Sequence, residues 1–452
     1  MIQTANEKLF GTDGMRGEAG SFPLDGQTIR IVGASLARHM RETLGRTPRF
    51  ISGRDTRESG EWIESALHSG VVAADAQLAS AGVITTPGVA FLTQHFDFDA
   101  GIVVSASHNP YQDNGIKIFS PSGKKIDAPM ERAIEQDIFA GLEVPRTEAA
   151  DLGRDAEDDY QTAYIDHLAA GFPRLELTGF NLVIDCANGA ASLLAPRLFH
   201  GFGAEIVAIN DEPDGRNINH DCGSLYLDKL REKVLQEKAD FGVAFDGDAD
   251  RALFVDEKGA VIDGDAALWI LAQHLEWRGE LSNKTVVATV MSNIGLEIAL
   301  SSRGVKLDRT SVGDKYVLEE LLRSGSELGG EQSGHIILPQ KSLVGDGLMT
   351  TLFVLEAIRE RNVSASEAVR GFTRFPQVLV NVKVREKRPF ENVPEIAKAA
   401  KVIENELDGT GRLLLRYSGT ENLARVMIEG QDQPAIENQA NELAEIIRSN
   451  LA

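Results

Sequence analysis

Short apolar runs alternate with stretches of helical periodicity along most of the chain. FISGRD at 50–55 precedes a helix-like pattern near 59–77, and AGIVVSAS at 100–107 runs into a polar loop. This rhythm predicts parallel sheets covered by helices. The charged, weakly periodic stretch from Glu131 to Tyr160 interrupts it, and NLVIDCANGA at 181–190 reopens it. A helix at 191–200, the strand AEIVAIN, a polar loop at 211–223 and a helix near 224–239 follow. FGVAFD and ALFVDE then read as strands flanking the acidic turn GDADR, AALWILAQHLEWRG as a helix and TVVATV as another buried strand.

From Phe375 the period changes. QVLVNVKV alternates its side chains, a charged helix is predicted near 392–407, and LLLRYS and ARVMIEG frame the turn GTENL before a final helix. Alternation marks a half-exposed sheet with helices on one face, so the tail predicts an α+β fold. The expected division is three α/β units at 1–155, 156–256 and 257–368 and a smaller tail at 369–452. A chain of 452 residues does exceed the size at which single cores stop growing.

Composition narrows the partners. A formal charge of -22 repels nucleic-acid backbones and anionic membranes, but a few arginines in one cleft still suit a small phosphorylated substrate. Two cysteines, Cys186 in an apolar run and Cys222 in a polar loop, predict no disulfide framework. MIQTANEKLF carries no signal-peptide pattern and no apolar stretch is long enough to span a bilayer, so a cytoplasmic location is expected.

The densest chemistry lies in Asp246-Gly247-Asp248-Ala249-Asp250-Arg251. Three carboxylates at alternate positions after an apolar strand repel one another unless a cation neutralises them, and oxygen ligands of this density suit one Mg²⁺ together with phosphate or water. A calcium loop is the rival, because Glu257 falls at its twelfth position; Arg251 at the place that needs glycine, and the strand-like ALFVD, speak against it.

A second signal is SASHNPYQDNG at 105–115, where Ser107 and His108 follow a strand. Alone, it reads as a loop with local turn bonds. Paired with the aspartates, a phosphorylated Ser107 supplies oxygens that complete a metal site. GGEQSGHI at 329–336 offers Glu331 and Ser333 to sugar hydroxyls, with Glu331 also able to favour an ammonium, and His335 for proton movement. RYSGTENLAR at 416–425 offers Arg416, Ser418, Thr420 and Arg425, with the turn amides around Gly419, to a phosphate that is not transferred. A turn with an N-cap and a surface hairpin are the bland alternatives for these two segments.

FGTDGMRG at 10–17, GRDTR at 53–57, SASHNP, DGDADR, GGEQSGH and RYSGTE lie in one order along the whole chain, and in this they resemble the α-D-phosphohexomutase superfamily, in particular its amino-sugar branch. The resemblance implies three related α/β domains of mixed sheets and a smaller α+β domain around a central cleft. It implies conversion of glucosamine 6-phosphate to glucosamine 1-phosphate on the route to cell-wall precursors, through a bisphosphorylated sugar. Ser107 would be the phosphoserine and, with Asp246, Asp248 and Asp250, a ligand of Mg²⁺. Arg16 and Lys117 would serve the catalytic region, Arg251 would lie beside the metal, and Lys117, His335 and His108 remain candidates for the general base. Asn422 stands where the family pattern has proline. Glucose or mannose phosphates on the same scaffold, and a non-catalytic phosphosugar-binding protein, are the alternatives; monomer and homodimer are both compatible.

Overall fold

The computed structural model describes residues 8–145, 156–418 and 422–451. They form two compact units, one of the described residues up to Thr289 with Thr310–Val369, the other of Val290–Arg309 with the described residues from Arg370 on.

In the first unit a six-stranded sheet runs, in spatial order, Phe10–Gly11, Gly14–Glu18, Asp113–Phe119, Ala100–Val104, Arg49–Arg54 and Gln77–Val83. Arg49–Arg54 pairs in parallel with both of its neighbours, whereas the pairs at the other end are antiparallel. The sheet is therefore mixed, as expected for this fold class. Ala100–Val104 is buried throughout, which is why it reads as an unbroken apolar run. The helix Gly26–Leu44 starts where Asp25 accepts the amides of Gln27 and Thr28 and stops at Gly45 in the left-handed region.

A five-stranded sheet follows in the order Val261–Ile262, Ala252–Asp256, Phe241–Phe245, Asn181–Asp185 and Glu205–Ile209. Phe241–Phe245 and Ala252–Asp256 are antiparallel, so GDADR is the turn of a hairpin. A third ladder joins Thr285–Thr289 in parallel to Leu328–Gly330, which turns back antiparallel to Ile336–Ile337.

Two helices depart from the sequence reading. The stretch read as weakly periodic from Glu131 holds most of the helix Ala128–Phe139, which buries only Ile134 and Ile138 and so leaves a faint apolar stripe. The same stretch ends inside the helix Glu157–Ala170. Among the described residues no helix is long and apolar enough to cross a membrane.

The second unit carries the antiparallel sheet Gln377–Lys383, Leu423–Glu429, Arg412–Tyr417. Ala424, Val426 and Ile428 pack into one core with Ile396 and Ile403 of Pro394–Leu407 and with Leu443 and Ile447 of Gln433–Leu451. That is the predicted α+β arrangement, with Arg425 on the other face by alternation.

Candidate active site

The strand Ala100–Val104 delivers the chain to Ser107, which is fully buried with φ of 52°. A non-glycine residue there costs about 1–3 kcal/mol, so its surroundings must hold it. They do: the Ser107 amide donates to Ser105 Oγ at 2.9 Å, and Ser105 Oγ donates to Asp55 at 2.6 Å. The buried guanidinium of Arg57 donates to Asp55 at 2.9 Å and to the carbonyls of Ser107 and Asn109 at 2.9 and 2.8 Å. Asn219 adds a bond to the Ser107 carbonyl at 2.9 Å. Ser107 Oγ itself donates to Asp246 Oδ2 at 2.5 Å.

The metal-loop hairpin supplies the rest. Asp246, Asp248 and Asp250 are buried and each offers an oxygen within 4.8 Å of the others. Gly247 is required by close approach, because a Cβ there would lie 2.6 Å from the Ser107 carbonyl oxygen. Asp248 Oδ2 accepts from Thr86 Oγ1 at 2.5 Å and from Lys117 Nζ at 2.8 Å. Asp248 Oδ1 and Asp250 Oδ1 accept no hydrogen bond among the described residues. Burial, then Asp250 and Asp248, raise the Asp246 carboxyl well above its ordinary value. Burial acts in the same sense on Asp250, but Lys117, His335 and Arg251 together hold it below. Crowded carboxylates with buried oxygens left over are what a hard divalent cation satisfies, so the donor set fits such an ion. Glu257 takes no part: its carboxylate accepts the Ser366 amide at 3.1 Å and hydroxyl at 2.5 Å, which removes the calcium-loop alternative.

Lys117, on Asp113–Phe119, is buried with Nζ 2.8 Å from Asp248, 3.0 Å from Asp13 and 3.4 Å from Asp250. Burial opposes its charge, yet these three carboxylates raise its pKa well above the ordinary value. Lys117 is thus a fixed cation. Arg16, on the neighbouring strand Gly14–Glu18, pairs with Asp13 in the turn just before it. Arg251 Nε lies 3.8 Å from Asp250 Oδ1, and against burial Asp250, Asp246 and Glu331 strengthen its hold on the proton. Burial, Arg251 and Arg16 push His108 down to about 4, leaving a neutral imidazole whose Nδ1 is 3.3 Å from Ser107 Oγ.

His335 is pulled two ways. Burial disfavours its charged form, but Asp250, Asp314 and Glu331 together raise it to about 9. The Gly345 amide, however, donates to its Nε2 at 3.1 Å and needs that lone pair. A backbone donor cannot reorient, so it decides the tautomer: a neutral ring with the proton on Nδ1, 3.7 Å from Asp250. The loop around it is pinned to the metal hairpin by the Ala252 amide on the Gly334 carbonyl at 3.2 Å, and to the start of the helix Gly264–Arg278 by the Gly264 amide on the Gln332 carbonyl at 2.9 Å. Glu331 accepts the Gly313 amide at 3.1 Å, and Ser333 is half-buried in the same loop.

The structure therefore brings Ser107, the three aspartates, Arg16, Lys117, Arg251, Glu331 and His335 into one bonded neighbourhood. In the second unit Arg416 and Arg425 are direct partners on adjacent strands, and Ser418 is buried beside them with its carbonyl accepting Lys387 Nζ at 2.7 Å. Gly419 and Thr420 lie outside the described residues. Asp13, Thr86, Asn219, Arg57 and Lys125, which bridges Asp13 and Asp314 at 2.6 Å each, escaped the sequence reading. FGTDG and GRDTR hold Asp13 and Arg57 in plain view, whereas nothing local marks Thr86. Both cysteines are buried free thiols, with burial the leading cause that pushes Cys222 up to about 12, so neither is a reactive site.

Four family models match in succession: phosphoglucomutase/phosphomannomutase alpha/beta/alpha domain I at residues 7–144, domain II at 162–259, domain III at 263–375, and the C-terminal domain at 379–446. A phosphoglucosamine mutase of Solibacter usitatus is 46% identical over 443 residues, covering 98% of this chain and 99% of that protein. One of Caldicellulosiruptor saccharolyticus is 46% identical over 449 residues, with coverage of 98% and 100%. Among solved structures, a phosphoglucomutase/phosphomannomutase family protein from Burkholderia thailandensis superposes with a TM-score of 0.79 at 24% identity, covering all of both chains. The N-acetylphosphoglucosamine mutase of Aspergillus fumigatus, in complex with GlcNAc-6P and magnesium, gives 0.66 at 19% identity, covering 98% of this chain and 95% of that one. These two likenesses bear on the fold.

Proposed function

The chain belongs to the phosphoglucomutase/phosphomannomutase family of α-D-phosphohexomutases, and from that premise we propose that it interconverts glucosamine 6-phosphate and glucosamine 1-phosphate. It is an enzyme of the amino-sugar branch, and the full-length relatives at 46% identity carry that substrate class.

The relay rests on one observation: the Ser107 hydroxyl is buried and bonded directly to the three-carboxylate cluster. Phosphorylated Ser107 gives its phosphoryl group to a sugar oxygen: the Oγ–P bond breaks, the new P–O bond forms, and the sugar hydroxyl releases its proton to the site. The bisphosphorylated sugar turns over, and Ser107 Oγ recovers phosphate from the other oxygen, which takes a proton back. Asp246, Asp248, Asp250 and Ser107 would hold one Mg²⁺, which when bound supplies positive charge against the transferring group. Lys117, Arg16 and Arg251 add fixed positive charge there. Lys117 keeps its proton and the Gly345 amide occupies the one lone pair of the neutral His335 ring, so the base is the neutral imidazole of His108, and His335 can only donate from Nδ1.

Glu331 and Ser333 serve the sugar hydroxyls, and Glu331 also favours an ammonium. Arg416, Ser418, Gly419, Thr420 and Arg425 hold the phosphate that stays. Each half-reaction presents the other end of the sugar, so a phosphate clamp indifferent to sugar orientation serves both. The four-domain division at 155/156, 256/257 and 368/369 and a cytoplasmic location complete this reading.

Phosphorus NMR of glucosamine, N-acetylglucosamine, glucose and mannose 6-phosphates under identical activation tests it. Fastest conversion is expected for glucosamine 6-phosphate. Preference for glucose 6-phosphate would overturn the substrate, and conversion of none would overturn the activity.

A further inference from the structure

A cavity of about 380 Å³ opens between the helix Thr86–His95 and the segment 339–346, among residues for which the mutase reading has no task. The size lies within the roughly 300–1,000 Å³ of small-molecule pockets. Its lining includes three basic side chains, His95, His167 and Lys341, against one carboxylate, Asp346. That carboxylate is buried and already engaged, accepting Tyr164 Oη at 2.8 Å and the Met349 amide at 3.0 Å. With Asp346 engaged, the rim of this pocket presents the Lys341 ammonium and the two imidazoles of His95 and His167, a lining that favours an anion in a chain of formal charge -22.

The rim is held in place. Phe91 stacks on both imidazoles, with ring centroids 4.9 Å from His95 and 4.2 Å from His167. Partial burial, with His95 and Lys341 alongside, lowers the pKa of His167, an effect that a bound anion would reverse. One ammonium and two imidazoles able to donate N–H bonds around one mouth suit a phosphate group, which offers several acceptor oxygens, better than a single carboxylate.

The walls lead to the catalytic loops. The helix that ends at His95 begins at Thr86, which bonds Asp248 through its amide at 3.0 Å and its hydroxyl at 2.5 Å. Next to Asp346, the Gly347 amide donates to the Ala249 carbonyl of the metal loop at 3.0 Å. Gly345, one residue before Asp346, holds His335.

We propose that this cavity is a second anion site, which takes a small organic phosphate at the His95–His167–Lys341 rim and couples its occupancy to turnover through the metal loop. The link is a contiguous set of hydrogen bonds between packed elements, the physical kind of path by which such coupling travels.

The test uses the full chain with labelled histidine and titrates glycerol 3-phosphate, with inorganic phosphate as a second probe, while the C2–H resonances of His95 and His167 are followed by NMR. Saturable shifts of both are expected, with affinity about tenfold weaker in Lys341→Ala and restored in Lys341→Arg. Turnover of glucosamine 6-phosphate at saturation should change with glycerol 3-phosphate, and Lys341→Ala should displace that response by the same factor. No saturable shift, or one equally strong in Lys341→Ala, overturns the site. A turnover response indifferent to Lys341→Ala overturns the coupling. The binding arm needs no catalysis, so it would not be confounded by failure of the mutase reading.

Discussion

Thr86 grips Asp248 at two points, its amide on the carbonyl at 3.0 Å and its hydroxyl on Oδ2 at 2.5 Å. Lys117 shares that same Oδ2 at 2.8 Å, so the carboxylate is turned with Oδ1 left over as an acceptor. Groups that orient a metal ligand typically affect affinity by about 10–100-fold. Thr86→Val, which keeps shape and removes the hydroxyl, should therefore raise the Mg²⁺ concentration for half-maximal turnover by about that factor, with folding unaffected. An unchanged Mg²⁺ dependence would take Thr86 out of the metal site.

Asp248→Asn acts on the ligand itself. It removes one negative charge from the cluster while leaving an oxygen for Thr86. Metal binding and turnover should both fall by about a hundredfold or more, as measured by calorimetric Mg²⁺ titration and steady-state rates. Full activity after exhaustive chelation, with residual metal measured as absent, would refute the assignment.

Ser107→Ala should lower turnover by on the order of 10³ or more, because it removes the oxygen that carries the phosphoryl group. Ser105→Ala should be milder, since Ser105 only links the Ser107 amide to Asp55. Intact mass should find one added phosphate on active wild type, and tandem mass spectrometry should place it on Ser107. A glycine substitution separates chemistry from strain: Ser107→Gly should be as inactive as Ser107→Ala, yet more stable than it by about 1 kcal/mol, because φ of 52° suits glycine. Phosphate confined to another residue would end the relay.

What the sequence made legible follows from where its signals are local. Asp246, Asp248 and Asp250 announce themselves by density inside one hairpin, and the tail sheet by its alternation, because half-exposed strands imprint a period of two. Ala128–Phe139 stayed hidden because two buried isoleucines make too thin a stripe. Thr86 could not be read at all: it meets Asp248 across 162 residues of sequence, and the pair Thr85-Thr86 before a proline looks like any helix start. Arg57 sits in GRDTR, but its bonds to the carbonyls of Ser107 and Asn109 exist only once the sheet brings the two loops together.

Arg416 and Arg425 face each other directly across two antiparallel strands. Burial and then the Arg425 charge lower the Arg416 pKa, and like charges so placed cost the sheet about 0.2–1 kcal/mol. A phosphate bound between them would offset that repulsion. Arg425→Ala should raise KM about tenfold or more for both the 6-phosphate and the 1-phosphate, with a smaller effect on kcat and no loss of thermal stability. Unchanged kinetics with both substrates would leave an ordinary surface hairpin.

The last prediction concerns Asp346, the N-cap of the helix Gly347–Arg361. Burial pushes its carboxyl up to about 6, although the Met349 amide and the Tyr164 hydroxyl favour the charged form. A carboxyl whose folded pKa is raised binds its proton more tightly in the native state. Its contribution to stability is therefore complete below the unfolded value of about 3.9 and is lost as pH rises through about 6. The loss amounts to on the order of 3 kcal/mol between those limits. Asp346→Asn keeps an oxygen for the Met349 amide and an amide group for the Tyr164 oxygen, but carries no proton to lose. Near pH 4 the two proteins should unfold at similar midpoints, and by pH 7 the asparagine variant should be the more stable. Other carboxylates titrate in both, so the difference between the two curves isolates this group. A constant difference from pH 4 to pH 7 in thermal or urea unfolding would show that Asp346 does not titrate in that window.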